Sequence, residues 1–103
     1  MSLAILSILL GAAVLEVAGD AVVRLGLTRG SSLIIVAGMI VLGLYGVLVN
    51  TVKWDFSKLL GVYVAVFAVV SVLFGRFIFN EQISWSMWVG LAFILIGAAF
   101  IQS

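Results

Sequence analysis

The chain has 103 residues, of which 66% are hydrophobic and only 9% are charged, and its formal net charge is +1. Soluble domains average about 45–50% apolar and about 25% charged residues, so this composition excludes both a soluble globular protein and a disordered one. Cys and His are both absent, and the small net charge gives no basic surface, so we expect no cofactor, no metal site and no binding to nucleic acid.

Four apolar segments, separated by short polar clusters, follow one another along the chain. They cover roughly residues 2–27, 33–52, 57–79 and 83–102. Each has about 20 residues or more, which at a rise of about 1.5 Å per residue suffices for a helix to cross a bilayer core of about 30 Å. The alternation that a spanning strand requires is missing. The sequence therefore predicts an all-α integral membrane protein with one domain, residues 1–103, and antiparallel neighbours joined by short loops.

The first segment carries an acid at its centre. Glu16 is flanked by apolar residues on both sides, and a charge at the centre of a spanning helix costs about 2.5–3.5 kcal/mol on insertion scales. This acid, together with the lack of a basic start, argues against a cleaved signal peptide. Asp20 follows one helical turn later on the same face, and Ala12 and Gly19 lie on that side too. We expect these small residues to leave open volume for a ligand.

A carboxyl group in that position can hold a proton or a cation, one replacing the other. Arg24 follows Asp20 in the order that favours an ion pair four residues apart on a helix. Asp20 is thus either a second ligand group or the partner of Arg24. In the second case Glu16 is the one unpaired acid, and it is the best candidate for a substrate- and proton-binding residue.

Tyr45 and Tyr63 fall near the middle of the second and third segments. An aromatic ring at that depth stacks on a cationic substrate or serves in plain packing, and the sequence leaves both interpretations open.

The fourth segment has a pair of glycines seven residues apart. Gly90 and Gly97 share one helix face, and Ile94 lies beside them. Glycine lets membrane helices approach closely. The pair predicts a helix–helix seam, either within one chain or, as we expect for a bundle with so little interior, between two chains.

Basic residues are divided almost evenly between the two sides of the membrane. Lys53 and Lys58 lie on one side, and Arg24, Arg29 and Arg76 lie on the other. An excess of basic residues on one side normally fixes orientation, and here there is almost none. The balance predicts insertion in both orientations and an antiparallel homodimer with its two-fold axis in the membrane plane. A fixed topology is the alternative.

These residues carry a resemblance to a known family. Four helices in so short a chain, Glu16-x-x-Gly19 preceded by Ala12, and Gly90-x6-Gly97 resemble the small multidrug resistance family of the drug/metabolite transporter superfamily. The segment from Phe77 to Ser84 resembles the helix-loop-helix of that superfamily.

A second likeness is to the YnfA-type branch. Arg29-Gly30 stands thirteen residues after the glutamate, and Gly-Val-Tyr-Val recurs at residues 61–64.

The resemblance implies an antiparallel homodimer in the inner membrane of the cell, exporting small or lipophilic cations in exchange for protons. Glu16 matches the essential acid of the family, and Tyr63 stands where many members have a substrate-stacking Trp. The glycine-rich stretch usual in the third helix is missing between Tyr63 and Ala68. This absence favours a second interpretation, an accessory or half-flippase subunit for a lipid-linked sugar. Two other interpretations have less support. Glu16 argues against a structural scaffold, and no nucleophile–base set supports an enzyme.

Overall fold

The structure is a computed structural model that describes all residues from 1 to 103. It consists of four helices in chain order: α1 (Leu3–Arg29), α2 (Ser32–Val49), α3 (Phe56–Phe77) and α4 (Trp85–Gln102). All four are long and apolar enough to cross a membrane. The prediction of an all-helical protein with four membrane-spanning segments is confirmed.

The first two helices end within three residues of the predicted positions, and local chemistry explains the differences. Helix α1 continues to Arg29, because Gly30 takes the left-handed conformation (φ 66°) that closes a helix. Helix α2 ends at Val49 instead of 52. There the Asn50 and Thr51 side chains donate hydrogen bonds to backbone carbonyls of the last turn of α2, which satisfies groups that a continuing helix would have used.

The limits of α3 and α4 also differ by two residues from the predicted limits at the loop that joins them. Helix α3 ends at Phe77 instead of 79, and Asn80 adopts a positive φ of 56° in the loop that follows. Helix α4 begins at Trp85, two residues later than predicted, because the Ser84 side chain accepts a hydrogen bond from the Met87 N–H and so caps the helix.

The helices form two hairpins that meet along one seam. Helix α1 packs against α2, α3 packs against α4, and α1 packs against α3; the backbones of the other helix pairs do not come close. Because each loop reverses the chain direction, α1 and α3 run parallel to each other. The α1–α3 seam therefore joins the two hairpins.

Glycines bring α1 and α2 into close contact. A Cβ atom added at Gly19 would lie 2.8 Å from the Leu42 side chain, and one added at Gly38 would lie 2.9 Å from the backbone nitrogen of Val23. Two helices can approach this closely only where side chains are missing at the crossing.

The interior is small and lies around the α1–α3 seam. Its buried members come from α1, α3 and the end of the first hairpin: Leu9, Ala12, Ala13, Val17, Val49, Val52, Leu59, Val62, Tyr63 and Val70. Helix α4 contributes no buried residue. Most of the apolar surface of this chain is thus left for lipid or for another protein.

Candidate functional site

A hydrogen bond between two helices lies at the centre of the candidate site. The Tyr63 hydroxyl donates to Oε1 of Glu16, with an O···O distance of 2.8 Å. Glu16 projects from the middle of α1 and is partly buried, whereas Tyr63 on α3 is only 4% exposed. The bond holds the carboxylate in one position on the seam between the hairpins.

Aromatic rings surround this bond. The ring of Tyr45, on α2, stacks on the ring of Tyr63 with centroids 5.4 Å apart and planes 25° apart. Phe67, one turn after Tyr63 on α3, lies 6.3 Å from it in a tilted arrangement. Three helices therefore bring an acid and an aromatic cluster together. The negative faces of such rings attract cations at close range.

A cavity of about 240 Å³ opens beside the bond. It is lined by Glu16, Tyr45, Leu60, Tyr63, Val64 and Phe67. Glu16 is the one charged residue of this lining. We call this space the Glu16 cavity. It combines a single negative charge with rings and aliphatic walls, which suits a small cation with an apolar body.

Three of the six residues predicted to bind substrate are brought together here: Glu16, Tyr45 and Tyr63. Ala12 and Gly19 are not part of the lining. Ala12 is completely enclosed in the core, and Gly19 packs against Leu42 of α2. The expectation that these two small residues leave open volume is wrong. They serve close packing, and the open volume lies against α3.

Asp20 faces a different space. It lines a second cavity of about 240 Å³ together with Arg24 and residues of α3 and the following loop. No ion pair with N···O within 4.0 Å joins Asp20 to Arg24, although their spacing would allow one. The ion pair considered from the sequence is thus not formed in this structure, and both groups remain available to the cavity.

The glycine pair of α4 has no neighbour inside the chain. A Cβ atom at Gly90 or Gly97 would meet nothing within 4 Å, and Ile94 between them is 39% exposed. Packing within one chain therefore does not account for the pair. A seam with a second chain stays a prediction.

Sequence reasoning missed Leu60, Val64 and Phe67 as lining residues. Phe67 had a readable signal, because it lies four residues after Tyr63 and so shares its helix face. Leu60 and Val64 had none, because any aliphatic residue of α3 fits that description equally well.

Comparison with known proteins identifies a family for the whole chain. The whole chain, residues 1–103, matches the family described as "Uncharacterised BCR, YnfA/UPF0060 family". No curated protein and no solved structure matches it. The resemblance to the YnfA-type branch is confirmed by this match over the full length, and the chain belongs to the YnfA/UPF0060 family.

Proposed function

We propose that this protein is a proton-coupled antiporter that exports small or lipophilic cationic compounds. In this proposal, Glu16 holds a proton or a substrate cation in turn, and binding of one releases the other. The observation that carries the proposal is the Glu16 cavity, in which one carboxylate at membrane depth is surrounded by aromatic and aliphatic side chains.

The surroundings of Glu16 favour this chemistry. A carboxylate within the membrane is costly, so it is retained where it has a use. Its hydrogen-bond partner, Tyr63, supplies only a neutral hydroxyl. The negative charge of the Glu16 carboxylate therefore has no cationic partner in this contact. A substrate cation can supply that partner, while its apolar part contacts Tyr45 and Phe67.

The proposed assembly is an antiparallel homodimer in the inner membrane. Two features support it: the open glycine face of α4 and the nearly equal distribution of basic residues between the two sides. In such a dimer the two Glu16 carboxylates face a shared central space, and substrates and protons are the other partners.

The proposal is tested by Glu16→Gln in purified, detergent-solubilised protein. The probe is tetraphenylphosphonium, a lipophilic cation, added to weakly buffered protein while released protons are measured with a pH dye. The parent protein should release protons on addition of the probe, and Glu16→Gln should release none and bind the probe at least tenfold more weakly, because the amide has neither the charge nor an exchangeable acidic proton.

Asp55→Asn is the matched control. Asp55 is an exposed acid just before α3, and its side chain makes no capping hydrogen bond, so its removal should leave both probe affinity and proton release unchanged. Undiminished proton release in Glu16→Gln would contradict the antiport proposal.

The second candidate function is an accessory subunit for transfer of a lipid-linked sugar. The lack of glycine between Tyr63 and Val70 favours it, because an uninterrupted α3 is a stiff element rather than one built to bend. This function would require a different membrane protein as partner. Proton-coupled transport of tetraphenylphosphonium by the purified chain alone in liposomes would contradict this second function.

A further inference from the structure

The α1–α3 seam carries two parallel ladders of residues. On α1, Glu16, Asp20 and Arg24 follow one another at intervals of one helical turn. On α3, Tyr63 and Phe67 are also one turn apart, and the row continues to Ser71. Tyr63 contacts Glu16, and Phe67 and Ser71 line one cavity with Asp20 and Arg24. Both ladders lead from the membrane centre to the end where α3 joins α4.

The Glu16 cavity and the second cavity meet at one side chain. Phe67 lines both of them, with Glu16 and Tyr63 on one side and Asp20, Arg24 and Ser71 on the other. The ring of Phe67 is therefore the wall that the two cavities share. We call the second cavity the Asp20 vestibule.

The α3–α4 loop forms the outer end of the Asp20 vestibule. Glu81 donates its backbone N–H to the carbonyl of Gly75 at 2.9 Å, and its carboxylate lies directly over Gly75. The positive φ of Asn80 turns the chain back to allow this. Gly75 leaves the space that the Glu81 side chain occupies. A second acid is thereby fixed at the rim of the vestibule, and Glu81 is exposed to the outside.

The charges of the vestibule sum to one negative charge. Asp20 and Glu81 contribute two negative charges and Arg24 one positive charge. A cation or proton in the vestibule therefore meets a net negative charge, with the two acids as its partners. The remaining lining residues are mainly apolar or aromatic.

We infer that the Asp20 vestibule is the route by which protons and cations travel between Glu16 and the membrane surface at the α3–α4 loop, with Asp20 as an intermediate proton acceptor and Phe67 as the partition. Water in the vestibule carries a proton released by Glu16 past the Phe67 ring to the Asp20 carboxylate, which takes it up and then gives it to water at the Glu81 rim. The reverse sequence protonates Glu16. This inference rests on the proposed antiport.

The first test measures whether the vestibule is wet. The chain has no cysteine, so single cysteines report on their own surroundings. Ser71→Cys lies in the vestibule. Leu73→Cys lies two residues further along α3 at a similar depth, on a surface that is 45% exposed outside the cavities.

A charged methanethiosulfonate reagent is added to each variant in detergent micelles, and labelling is followed by mass. The cysteine thiolate, which forms readily only in contact with water, attacks the sulfenyl sulfur of the reagent and displaces methanesulfinate. Ser71→Cys should react at least tenfold faster than Leu73→Cys, where detergent covers the side chain. Equal rates would overturn the inference that water reaches Asp20.

The second test separates the route from the binding site. Asp20→Asn should slow proton release after rapid mixing with tetraphenylphosphonium at least tenfold, while the equilibrium affinity and the number of protons released stay within twofold of the parent. Phe67→Ala opens the partition, and because Phe67 also lines the Glu16 cavity this variant is measured without probe: protons should cross liposome membranes faster than with the parent. Asp55→Asn again serves as the control, because it removes an acid outside the vestibule.

An unchanged release rate in Asp20→Asn, together with a parental rate of proton leakage in Phe67→Ala, would overturn the inference. That outcome is distinct from failure of the proposed antiport. If Glu16→Gln abolishes proton release and the two vestibule variants behave like the parent, the binding site stands and the route lies elsewhere. If Glu16→Gln still releases protons, the antiport itself is refuted.

Discussion

At the scale of single residues, Tyr63 connects most of the interactions in the candidate site. Its hydroxyl donates to Glu16, its ring stacks on Tyr45 and lies against Phe67, and it is almost completely buried. The hydroxyl and the ring are separable by substitution. They should contribute to different properties, because the first orients the acid and the second shapes the binding surface.

Tyr63→Phe and Tyr63→Ala test this separation. The first loses one hydrogen bond to a charged group, about 1.5–3 kcal/mol, and should lower the thermal unfolding midpoint while probe affinity stays within tenfold. Tyr63→Ala also loses the ring and should weaken binding of tetraphenylphosphonium by more than tenfold. The measurements are a thermal melt and equilibrium probe binding for both variants. Equal probe affinity in the two variants would show that the ring does not contact the cation.

Single residues also show what the sequence can and cannot reveal about the site. Glu16 could be predicted, because a lone acid among apolar residues is costly in a membrane. Its bond to Tyr63 could not, because nothing in a sequence gives the rotation of α3 about its own axis. The expectation that Ala12 borders open volume was wrong because the sequence does not show how the neighbouring helix packs. Small size permits either a cavity or tight packing, and only the neighbouring helix decides between them.

At the scale of elements, the α1–α2 hairpin depends on missing side chains. A Cβ at Gly38 would lie 2.9 Å from the Val23 nitrogen and 3.0 Å from the Gly19 carbonyl oxygen. Both atoms belong to the backbone of α1, so neither can rotate away. The two helices would have to separate along this crossing.

Gly38→Ala should therefore destabilise the protein by about 1–3 kcal/mol, the usual cost of overpacking. Gly43→Ala on the same helix is the matched control, because a Cβ there meets nothing within 4 Å. It should be neutral or slightly stabilising, since alanine favours helix more than glycine does. Unfolding in detergent with increasing denaturant would measure both. Equal stability of the two variants would show that α1 and α2 are not in close contact.

The number of the helices and their limits to within about three residues were predictable, because length, composition and breaks in the apolar pattern determine them. The pairing of chain neighbours was predictable too, but the helices through which the two hairpins meet were not. Residues that face lipid and residues that face another helix are equally apolar here, so no polar face marks which side of α2 or α4 is covered. The α1–α3 seam had one partial signal, the polar ladder on α1.

At the scale of the whole molecule, one protomer leaves much of its apolar helix surface exposed. The backbone of α4 comes close to that of α3 alone, and α4 buries none of its residues. Its open glycines, Gly90 and Gly97, lie on an exposed surface. In the proposed dimer, a second copy of the chain packs closely against these glycines and covers the surface of α4 that one protomer leaves exposed.

Replacing both glycines by leucine, Gly90→Leu with Gly97→Leu, should convert the proposed dimer to monomers, as measured by cross-linking yield and by mass in detergent. The matched control is Gly43→Leu with Gly46→Leu on α2, where a Cβ also meets nothing within 4 Å. The control should leave the dimer intact. An unchanged mass in the α4 variant would place the seam elsewhere.

The two hairpins touch along α1–α3 and through the Tyr45–Tyr63 stack, and Tyr63 belongs to both contacts. In the proposed antiport, a cation bound to the Glu16 carboxylate draws charge away from the oxygen that accepts the Tyr63 hydrogen bond, and so weakens that bond. We therefore expect cation binding to loosen one contact between the two hairpins and release of the cation to restore it, so that binding and helix arrangement are coupled through a single hydroxyl group.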